Sequence, residues 1–390
     1  MEMQFSQLAE DLGGSTNPLY ALRDKLQGQG EIIVDLVRGS VNEHGIVFPP
    51  DTLHSILADA MVPARQYRPD SFGQPVAREA IASYYAELNF TAEQILLTPG
   101  TSLSFLYCFK LLAEVGDEII CPQPSYPLFD YIARICGVDL LHYRLLESRQ
   151  WSIDLDHLND QISTRTRAIL LISPHNPTGM VADDEQLAGV AEIAQRHNLP
   201  IIADEVFSEF LFGIDRLPRP AATEAPLVFT LNGFSKMFAL PGMKLGWMAV
   251  SGDEALVRKS LQALEMIADT FLPVNEIVQF SVPGVFARGR AFQQSYVAWI
   301  AQCHEKAMAG LAGLECSLDF NRPQGGFYLT VPTHADEDEV AMALLGEHKI
   351  LTHPGYYYDI EPNHLVMTIV NDPQTLAESF HNIARATKHD

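Results

Sequence analysis

The chain has 390 residues, of which 47% are hydrophobic and 19% are charged, a composition typical of a globular protein. That length exceeds what one compact core usually holds, so two domains are expected. The formal net charge of −23 would be repelled by nucleic acid and by anionic membrane surfaces, which excludes both as expected partners. Five widely spaced cysteines predict neither a disulfide framework nor a metal site. With no signal peptide and no apolar run of membrane-spanning length, a cytoplasmic protein is expected.

Short apolar runs alternate with amphipathic stretches from about residue 75 to residue 250. This rhythm predicts an α/β domain with a mostly parallel sheet. The continuously apolar strand at 168–172 favours a sheet that is covered on both faces. The predicted strands are 95–98, 118–121, 140–143, 168–172, 200–203, 228–231 and 245–250, and the predicted helices are 76–88, 102–113, 127–136 and 184–197.

The pattern changes after about residue 275, where a long helical stretch from 278 towards 314 precedes an extended segment at 325–329. Helices at 338–347 and 374–387 follow, which together indicate a second, α+β domain. We therefore expect three parts. They are an N-terminal segment (1–50) that packs on the small domain, a large α/β domain (51–275) and a small C-terminal α+β domain (276–390).

Three polar residues stand at or just after predicted strands: Asn176 in Asn-Pro-Thr-Gly, Asp204 in Asp-Glu-Val, and Lys236 before a Pro-Gly turn. A lysine among apolar residues loses its proton more easily and can act as a nucleophile. Taken singly, each residue has a plainer interpretation: a surface lysine, a helix N-cap and an Asn-Pro turn. Three different residue types at three strand ends reduce the chance of coincidence.

This combination predicts a site for pyridoxal 5'-phosphate, a cofactor that needs a lysine to form a Schiff base and an acid to protonate its ring nitrogen. Lys236 and Asp204 meet these needs, and Asn176 would face the phenolate oxygen. Tyr126, held between prolines, could stack on the ring, although a core aromatic is the alternative. The phosphate would lie at the strand-to-helix turn Gly100, Thr101 and Ser102, with Lys244 as a cation.

The motifs resemble those of the class I and II aminotransferases, which are fold-type I pyridoxal phosphate enzymes. The resemblance runs from Tyr67 to a His-Pro-Gly segment at 353–355. It implies a large domain with a mostly parallel central sheet, a smaller α+β domain, and a homodimer with shared active sites. Tyr67 would then reach the partner's cofactor phosphate, with Ser235 and Phe207 beside the cofactor. Lys236, Asp204 and Tyr126 would be the catalytic residues.

The sequence departs from the family pattern at three cofactor positions. Phe207 stands where a tyrosine is usual, so one donor to the phenolate oxygen is missing. We therefore predict a raised pKa for the lysine nitrogen when it is joined to the cofactor. Gly233 stands where serine is frequent, and Lys244 replaces an arginine. Both changes predict a looser hold on the phosphate.

A fourth departure concerns the substrate, because the family's C-terminal arginine for an α-carboxylate is replaced by Val366. Either another group binds the carboxylate or the substrate lacks one. The candidate substrate residues are Arg38, Gly39, His353, Tyr356 and Val366. Arg38 has a plainer interpretation as a solvated surface residue.

The predicted function is transfer of an amino group between an amine or amino acid and a keto acid or aldehyde. A pyridoxal phosphate-dependent lyase or decarboxylase on the same fold is the first alternative, because the missing arginine influences which substrate bond is broken. A non-catalytic binding protein with this fold is the second. Nucleotide-binding glycine loops and a His-Glu-x-x-His motif are absent from the sequence, so neither a nucleotide nor a metal is expected.

Overall fold

A computed structural model describes residues 6, 8, 17–312 and 320–387 of the chain. Cys316 and the far end of the helical stretch predicted towards 314 therefore lie outside the described residues. The strands are β1 (Val34–Asp35), β2 (Ile95–Thr98), β3 (Glu118–Gln123), β4 (Asp139–Leu146), β5 (Ser152–Ile153), β6 (Thr166–Ile172), β7 (Ile201–Asp204), β8 (Leu227–Gly233), β9 (Gly246–Gly252), β10 (Tyr328–Pro332), β11 (Ile350–Leu351), β12 (His353–Pro354) and β13 (His364–Thr368).

Eight strands form one sheet in the order β2-β9-β8-β7-β6-β3-β4-β5. Strands β4, β3, β6, β7 and β8 pair in parallel, and β9 is antiparallel to both β8 and β2. Strand β2 consequently runs in the same direction as β8. The predicted α/β fold with a mostly parallel central sheet is confirmed, and the carboxyl ends of six strands lie along one edge.

Both faces of this sheet are covered, as the apolar strand at 168–172 predicted. Alternate residues of β6 enter different cores: Leu170 packs with the helices on one face, and Ile169 and Leu171 pack with those on the other. All three side chains are buried. Burial on both sides explains why this strand is apolar throughout instead of alternating with polar residues.

The helices include five that the sequence did not predict, at 18–28, 50–64, 155–161, 234–237 and 254–271. They are α1 (Pro18–Gly28), α2 (Pro50–Ala64), α3 (Pro75–Tyr84), α4 (Thr101–Leu112), α5 (Leu128–Cys136), α6 (Leu155–Gln161), α7 (Asp184–His197), α8 (Phe234–Met237), α9 (Glu254–Phe271), α10 (Glu276–Arg288), α11 (Arg290–Gly310), α12 (Glu337–His348) and α13 (Pro373–Ala386).

The single long helix predicted from 278 is wrong, because the chain breaks at Gly289 into α10 and α11. The Phe48 ring lies so close to this glycine that an added Cβ would stand 2.8 Å from it and 2.5 Å from the Val285 carbonyl oxygen. The apolar periodicity continues through one glycine, so the sequence pattern alone does not reveal the break.

The N-terminal segment contacts the C-terminal part of the chain. Helix α1 packs on α12, and β1 pairs in parallel with β11, with Val34 opposite Ile350. Helix α10 packs instead on α2 and α3, so Val282 and Val285 share a core with Ile56. No helix of the described residues is long and apolar enough to cross a membrane.

A small antiparallel sheet, in the order β10-β13-β12, completes the C-terminal part. Tyr328 lies opposite Thr368, and both Thr330 and His353 lie opposite Val366. Since side chains directly opposite each other share a face, and residues two apart on a strand do as well, Tyr328, Thr330, Val366 and His353 lie on the same face.

Candidate active site

A cavity lies at the carboxyl edge of the large sheet, where the turns after β2, β3, β6, β7 and β8 meet. Its wall combines polar side chains with a larger apolar surface. The polar and charged lining residues are Thr101, Ser102, Tyr126, Asn176, Asp204, Ser235, Lys236 and Tyr328. The remaining lining residues are Phe105, Leu128, Phe129, Ile172, Val206, Phe207, Gly233 and Leu245.

Lys236 lies on the one-turn helix α8, which follows directly after β8. Its neighbours Phe234 and Met237 are fully buried and anchor this turn. The Lys236 Nζ atom lies 3.5 Å from the Gly39 carbonyl oxygen and over the ring of Phe327, 5.5 Å from its centroid. Burial lowers the pKa of Lys236 to about 8. Among the described residues no carboxylate pairs with it, so the amine is available as a nucleophile or base.

Asp204 is the last residue of β7, and its carboxylate is buried at the cavity wall. One oxygen accepts a hydrogen bond from the Val206 backbone N–H, 3.0 Å away. Burial raises the pKa of Asp204 to about 6. The nearby Arg219 pairs with Glu205 instead, and no cation of the described chain pairs with Asp204. A buried carboxylate without a counter-charge fits a ligand that brings its own positive charge.

Asn176 stands four residues beyond the end of β6 and lines the same cavity. The preceding turn is fixed by the Ser173 backbone N–H, which donates to the Asp204 carbonyl oxygen at 3.1 Å. His175 is buried and bonds to Thr178 through Nδ1. The Asn176 side-chain oxygen is buried without a hydrogen-bond partner. Because buried amides normally pair, this side chain indicates a polar group bound in the cavity.

The turn after β2 has the backbone of an anion site. Gly100 caps α4 with φ +106°, a conformation that other residues rarely adopt, and no atom lies within 4 Å of its ideal Cβ. The first residues of α4, Thr101 and Ser102, line the cavity beside Ser235. A helix N-terminus with neighbouring hydroxyls favours a phosphate.

Gly233, the predicted departure from serine, is set by packing. A Cβ at this position would stand 2.6 Å from the Leu245 carbonyl oxygen, and the Phe234 N–H donates to the same oxygen at 3.1 Å. The strand end therefore lies too close to its neighbour for any side chain. The absence of a serine hydroxyl is thus a consequence of how β8 and β9 meet.

The two remaining predicted phosphate residues do not line the cavity. Lys244 is exposed, with φ +50°, and Tyr67 is 82% exposed on the surface. Tyr126 does line the cavity and is 40% exposed, in a turn fixed by a 2.9 Å hydrogen bond from the Ser125 N–H to the Tyr358 carbonyl oxygen. Phe207 also lines it and packs on Phe327, with ring centroids 4.8 Å apart.

The predicted substrate residues have different environments. Gly39 touches Lys236, whereas Arg38 is exposed and pairs with Asp35 at 3.5 Å. Tyr356 is exposed and donates to Asp338. None of the predicted substrate residues is among the cavity lining.

Two of the five sit in the small sheet. Val366 is 1% exposed and packs in a core with Tyr358. His353 bonds to the Tyr20 hydroxyl at 2.7 Å and to the Tyr358 hydroxyl at 3.2 Å. Burial lowers the pKa of His353 to about 4, so it is neutral near pH 7.

Tyr328 lines the cavity but was not predicted as a site residue. It is the first residue of β10 and follows Gly325, Gly326 and Phe327 within the predicted extended segment at 325–329. An aromatic residue directly after two glycines at a strand start was the available signal. The apolar lining residues Phe105, Phe129 and Val206 carry no comparable signal, since each also fits an ordinary core position.

Comparisons with known proteins agree with this geometry. Residues 42–383 match the family "Aminotransferase class I and II", so the chain belongs to this family of pyridoxal phosphate-dependent aminotransferases. Glutamate-pyruvate aminotransferase AlaA of Escherichia coli (strain K12) is 28% identical over 395 residues, which cover 94% of this chain and 93% of that protein. Tyrosine aminotransferase of Dictyostelium discoideum is 26% identical over 330 residues, covering 81% and 79%. A crystal structure of an Escherichia coli aminotransferase superposes with a TM-score of 0.84 at 26% identity, covering 99% of this chain and 98% of that one.

Proposed function

We propose that this aminotransferase holds pyridoxal phosphate in the cavity through those predicted residues that line it, with Lys236 as the attachment point. The observation that carries the proposal is that three groups line one cavity: a lysine and a buried carboxylate that each lack a counter-charge among the described residues, and a buried amide oxygen that lacks a hydrogen-bond partner. Such groups fit the aldehyde, ring nitrogen and phenolate oxygen of the cofactor. The Gly100 turn and the hydroxyls of Ser102 and Ser235 fit its phosphate.

When bound, pyridoxal phosphate supplies an electrophilic carbon and an electron-withdrawing ring. Asp204 would hold a proton on the ring nitrogen, because a buried carboxylate favours a cation next to it. Lys236 Nζ, with its pKa lowered to about 8, would take and return the proton of the substrate's amine-bearing carbon. Tyr126 would cover one face of the ring, and Phe207 would lie beside the phenolate oxygen without donating a hydrogen bond.

We also propose a homodimer in which Tyr67 reaches the partner's phosphate site. The support is a set of large exposed apolar side chains, namely Met61, Val62, Tyr67, Phe271 and Leu272. The loop after Tyr67 is joined to α9, which ends at Phe271, by a hydrogen bond from Ser71 to Glu265 at 2.8 Å. Large exposed apolar patches mark protein interfaces. Light scattering should give twice the chain mass, and a monomer with full activity would contradict this.

The predicted division at residues 50 and 275 remains a proposal, supported by the packing of α1 on α12. Helix α10 packs on α2 and α3, so the first helix of the proposed small domain lies on the large one. A cytoplasmic location is also proposed. Cys108, Cys121, Cys136 and Cys303 are free thiols, as is usual in a reducing compartment.

For the substrate, we propose an amine that carries no carboxylate on its amine-bearing carbon. Lys236 is the cation that lines the cavity, and it is assigned to the cofactor. Arg38 is paired with Asp35, and His353 is neutral near pH 7. A carboxylate would therefore be desolvated without a counter-charge.

The test compares each amino acid with its decarboxylated amine: L-alanine with ethylamine, and L-tyrosine with tyramine. Pyridoxamine phosphate is quantified by chromatography after acid release, following one half-reaction. Faster conversion with the amines supports the proposal, and faster conversion with the amino acids overturns it. Consumption of donor without pyridoxamine phosphate would indicate a lyase or decarboxylase instead.

A further inference from the structure

The Tyr328 hydroxyl and the Lys236 side-chain nitrogen both lie next to Gly39. A Cβ on Gly39 would stand 2.8 Å from the Tyr328 hydroxyl oxygen, and the Gly39 carbonyl oxygen is 3.5 Å from Lys236 Nζ. Tyr328 also lines the cavity that Lys236 enters. Tyr328 and Lys236, whose nitrogen a substrate amine must displace, therefore both line this cavity and both contact Gly39.

Tyr328, Thr330, Val366 and His353 lie on one face of the small sheet. Tyr328 is the side chain through which this face contributes a polar group to the cavity wall. Val366, on the same face, is buried in an apolar core, and His353, directly opposite Val366, bonds to Tyr20 and Tyr358. Tyr328 is the residue of this face that lines the cavity. A substrate group on the side towards Val366 thus meets a phenol in place of a cation.

Burial raises the pKa of Tyr328 to about 12, and the nearby Tyr126 acts in the same direction. The hydroxyl is therefore neutral over the working pH range. A neutral phenol both donates and accepts hydrogen bonds, but it does not balance a full negative charge. Its natural partner is another neutral hydroxyl.

We propose that Tyr328 is a specificity-determining residue that binds the hydroxyl of a 2-amino alcohol, or of the matching hydroxy ketone or hydroxy aldehyde. This proposal rests on the proposed function. In the half-reaction, the amine-bearing carbon loses its amino group and its hydrogen and becomes a carbonyl. Bound pyridoxal phosphate would supply the aldehyde that takes up the amino group and the hydrogen; its oxygen would leave as water and water would supply the product's carbonyl oxygen, so no further oxidant is required.

The experiment uses three donors that differ only in the group beside the amine: L-alaninol, isopropylamine and L-alanine. Wild-type protein should bind L-alaninol about 2- to 12-fold more tightly than isopropylamine, the range expected for one neutral hydrogen bond. Tyr328→Phe should remove this advantage and leave isopropylamine unchanged. Tyr131→Phe, at an exposed tyrosine on α5, is the matched control and should retain the advantage.

Dissociation constants are taken from the concentration dependence of the half-reaction and, independently of turnover, from absorbance titrations of the cofactor-loaded Lys236→Ala variant. Gly39→Ala is a second variant, because its Cβ would displace the Tyr328 hydroxyl and should also reduce the L-alaninol advantage. An unchanged L-alaninol to isopropylamine ratio in Tyr328→Phe, or no binding of L-alaninol, overturns the proposal. If L-alanine reacts faster than L-alaninol, the proposal that the substrate lacks a carboxylate is overturned instead, whatever the L-alaninol to isopropylamine ratio is.

Discussion

The carbonyl oxygen of Gly39 lies 3.5 Å from Lys236 Nζ, although the two residues are 197 positions apart in the chain. The N-terminal segment thus forms part of the wall around the reactive amine. It reaches this place through β1, which pairs with β11. The wall beside Lys236 therefore depends on both the N-terminal segment and the C-terminal strand β11 with which that segment pairs.

Lys236 should be the covalent attachment point of the cofactor. Borohydride reduction followed by peptide mass spectrometry should place pyridoxyl phosphate on the peptide containing Lys236, and Lys236→Ala should abolish the label. Lys259→Ala, at an exposed lysine of α9, should be labelled like the wild type. A label on another lysine in the wild type would contradict the assignment.

Asp204 should make the cofactor-free protein less stable as the pH rises. Its folded pKa is raised from 3.8 to about 6, so the folded state binds this proton more tightly than the unfolded state does. The stabilisation is complete below about pH 4 and is lost as the pH rises through 6, a change of about 3 kcal/mol. Urea unfolding between pH 4 and 7 should reveal this slope, and Asp204→Asn should reduce it, with the remainder due to buried Glu205, whose pKa is raised to about 7. An equal slope in the variant would exclude Asp204 as the cause.

Phe207 should give the cofactor-bound protein a high pH midpoint in its visible absorbance. Phe207→Tyr adds a phenol beside the cofactor's phenolate oxygen and should lower this midpoint by about one pH unit, because the new donor favours the deprotonated Lys236 nitrogen. A spectrophotometric titration measures it. Phe271→Tyr, on the exposed end of α9, should leave the midpoint unchanged. A midpoint unaffected by Phe207→Tyr would argue against contact with the phenolate.

Gly233→Ser should destabilise the protein in spite of supplying the hydroxyl that is frequent in the family. The new Cβ would stand 2.6 Å from the Leu245 carbonyl oxygen, which costs about 1–3 kcal/mol through strain. Thermal unfolding provides the measurement. Gly346→Ala is a matched control, since no atom lies within 4 Å of its Cβ, and should be neutral or stabilising. A Gly233→Ser variant as stable as the wild type would mean that β8 and β9 can separate.

Val366→Arg should shift the donor preference towards amino acids. A charged hydrogen bond to the carboxylate should raise the L-alanine to L-alaninol rate ratio about 10-fold or more. The melting temperature should fall, because the new cation enters an apolar core that contains Tyr358. Val366→Leu controls for bulk and should leave the ratio unchanged. No shift in a folded Val366→Arg protein would indicate that the carboxylate binds elsewhere.

Much of the site could be predicted because parallel strands end at one edge of a sheet. Asp204 ends a strand, and Asn176 and Lys236 come shortly after strands, so their meeting required no knowledge of packing. The place of Tyr328 depends on the register of β10 with β13, which joins segments far apart in sequence. The need for a glycine at position 233 likewise depends on its short distance from the Leu245 carbonyl oxygen, which belongs to a different part of the sheet edge.

The backbones of Gly100 and Gly246 touch: a Cβ on Gly246 would stand 2.9 Å from the Gly100 carbonyl carbon. Gly246 begins β9 and Gly100 lies in the turn after β2, so Gly246 cannot gain a side chain while this turn stays in place. In a saturation mutagenesis screen, Gly246 should tolerate no side chain, although it contacts no substrate. Recovery of such variants should come from second-site changes that move the start of α4. The position of the anion-binding turn is therefore constrained by β9, although no residue of β9 lines the cavity.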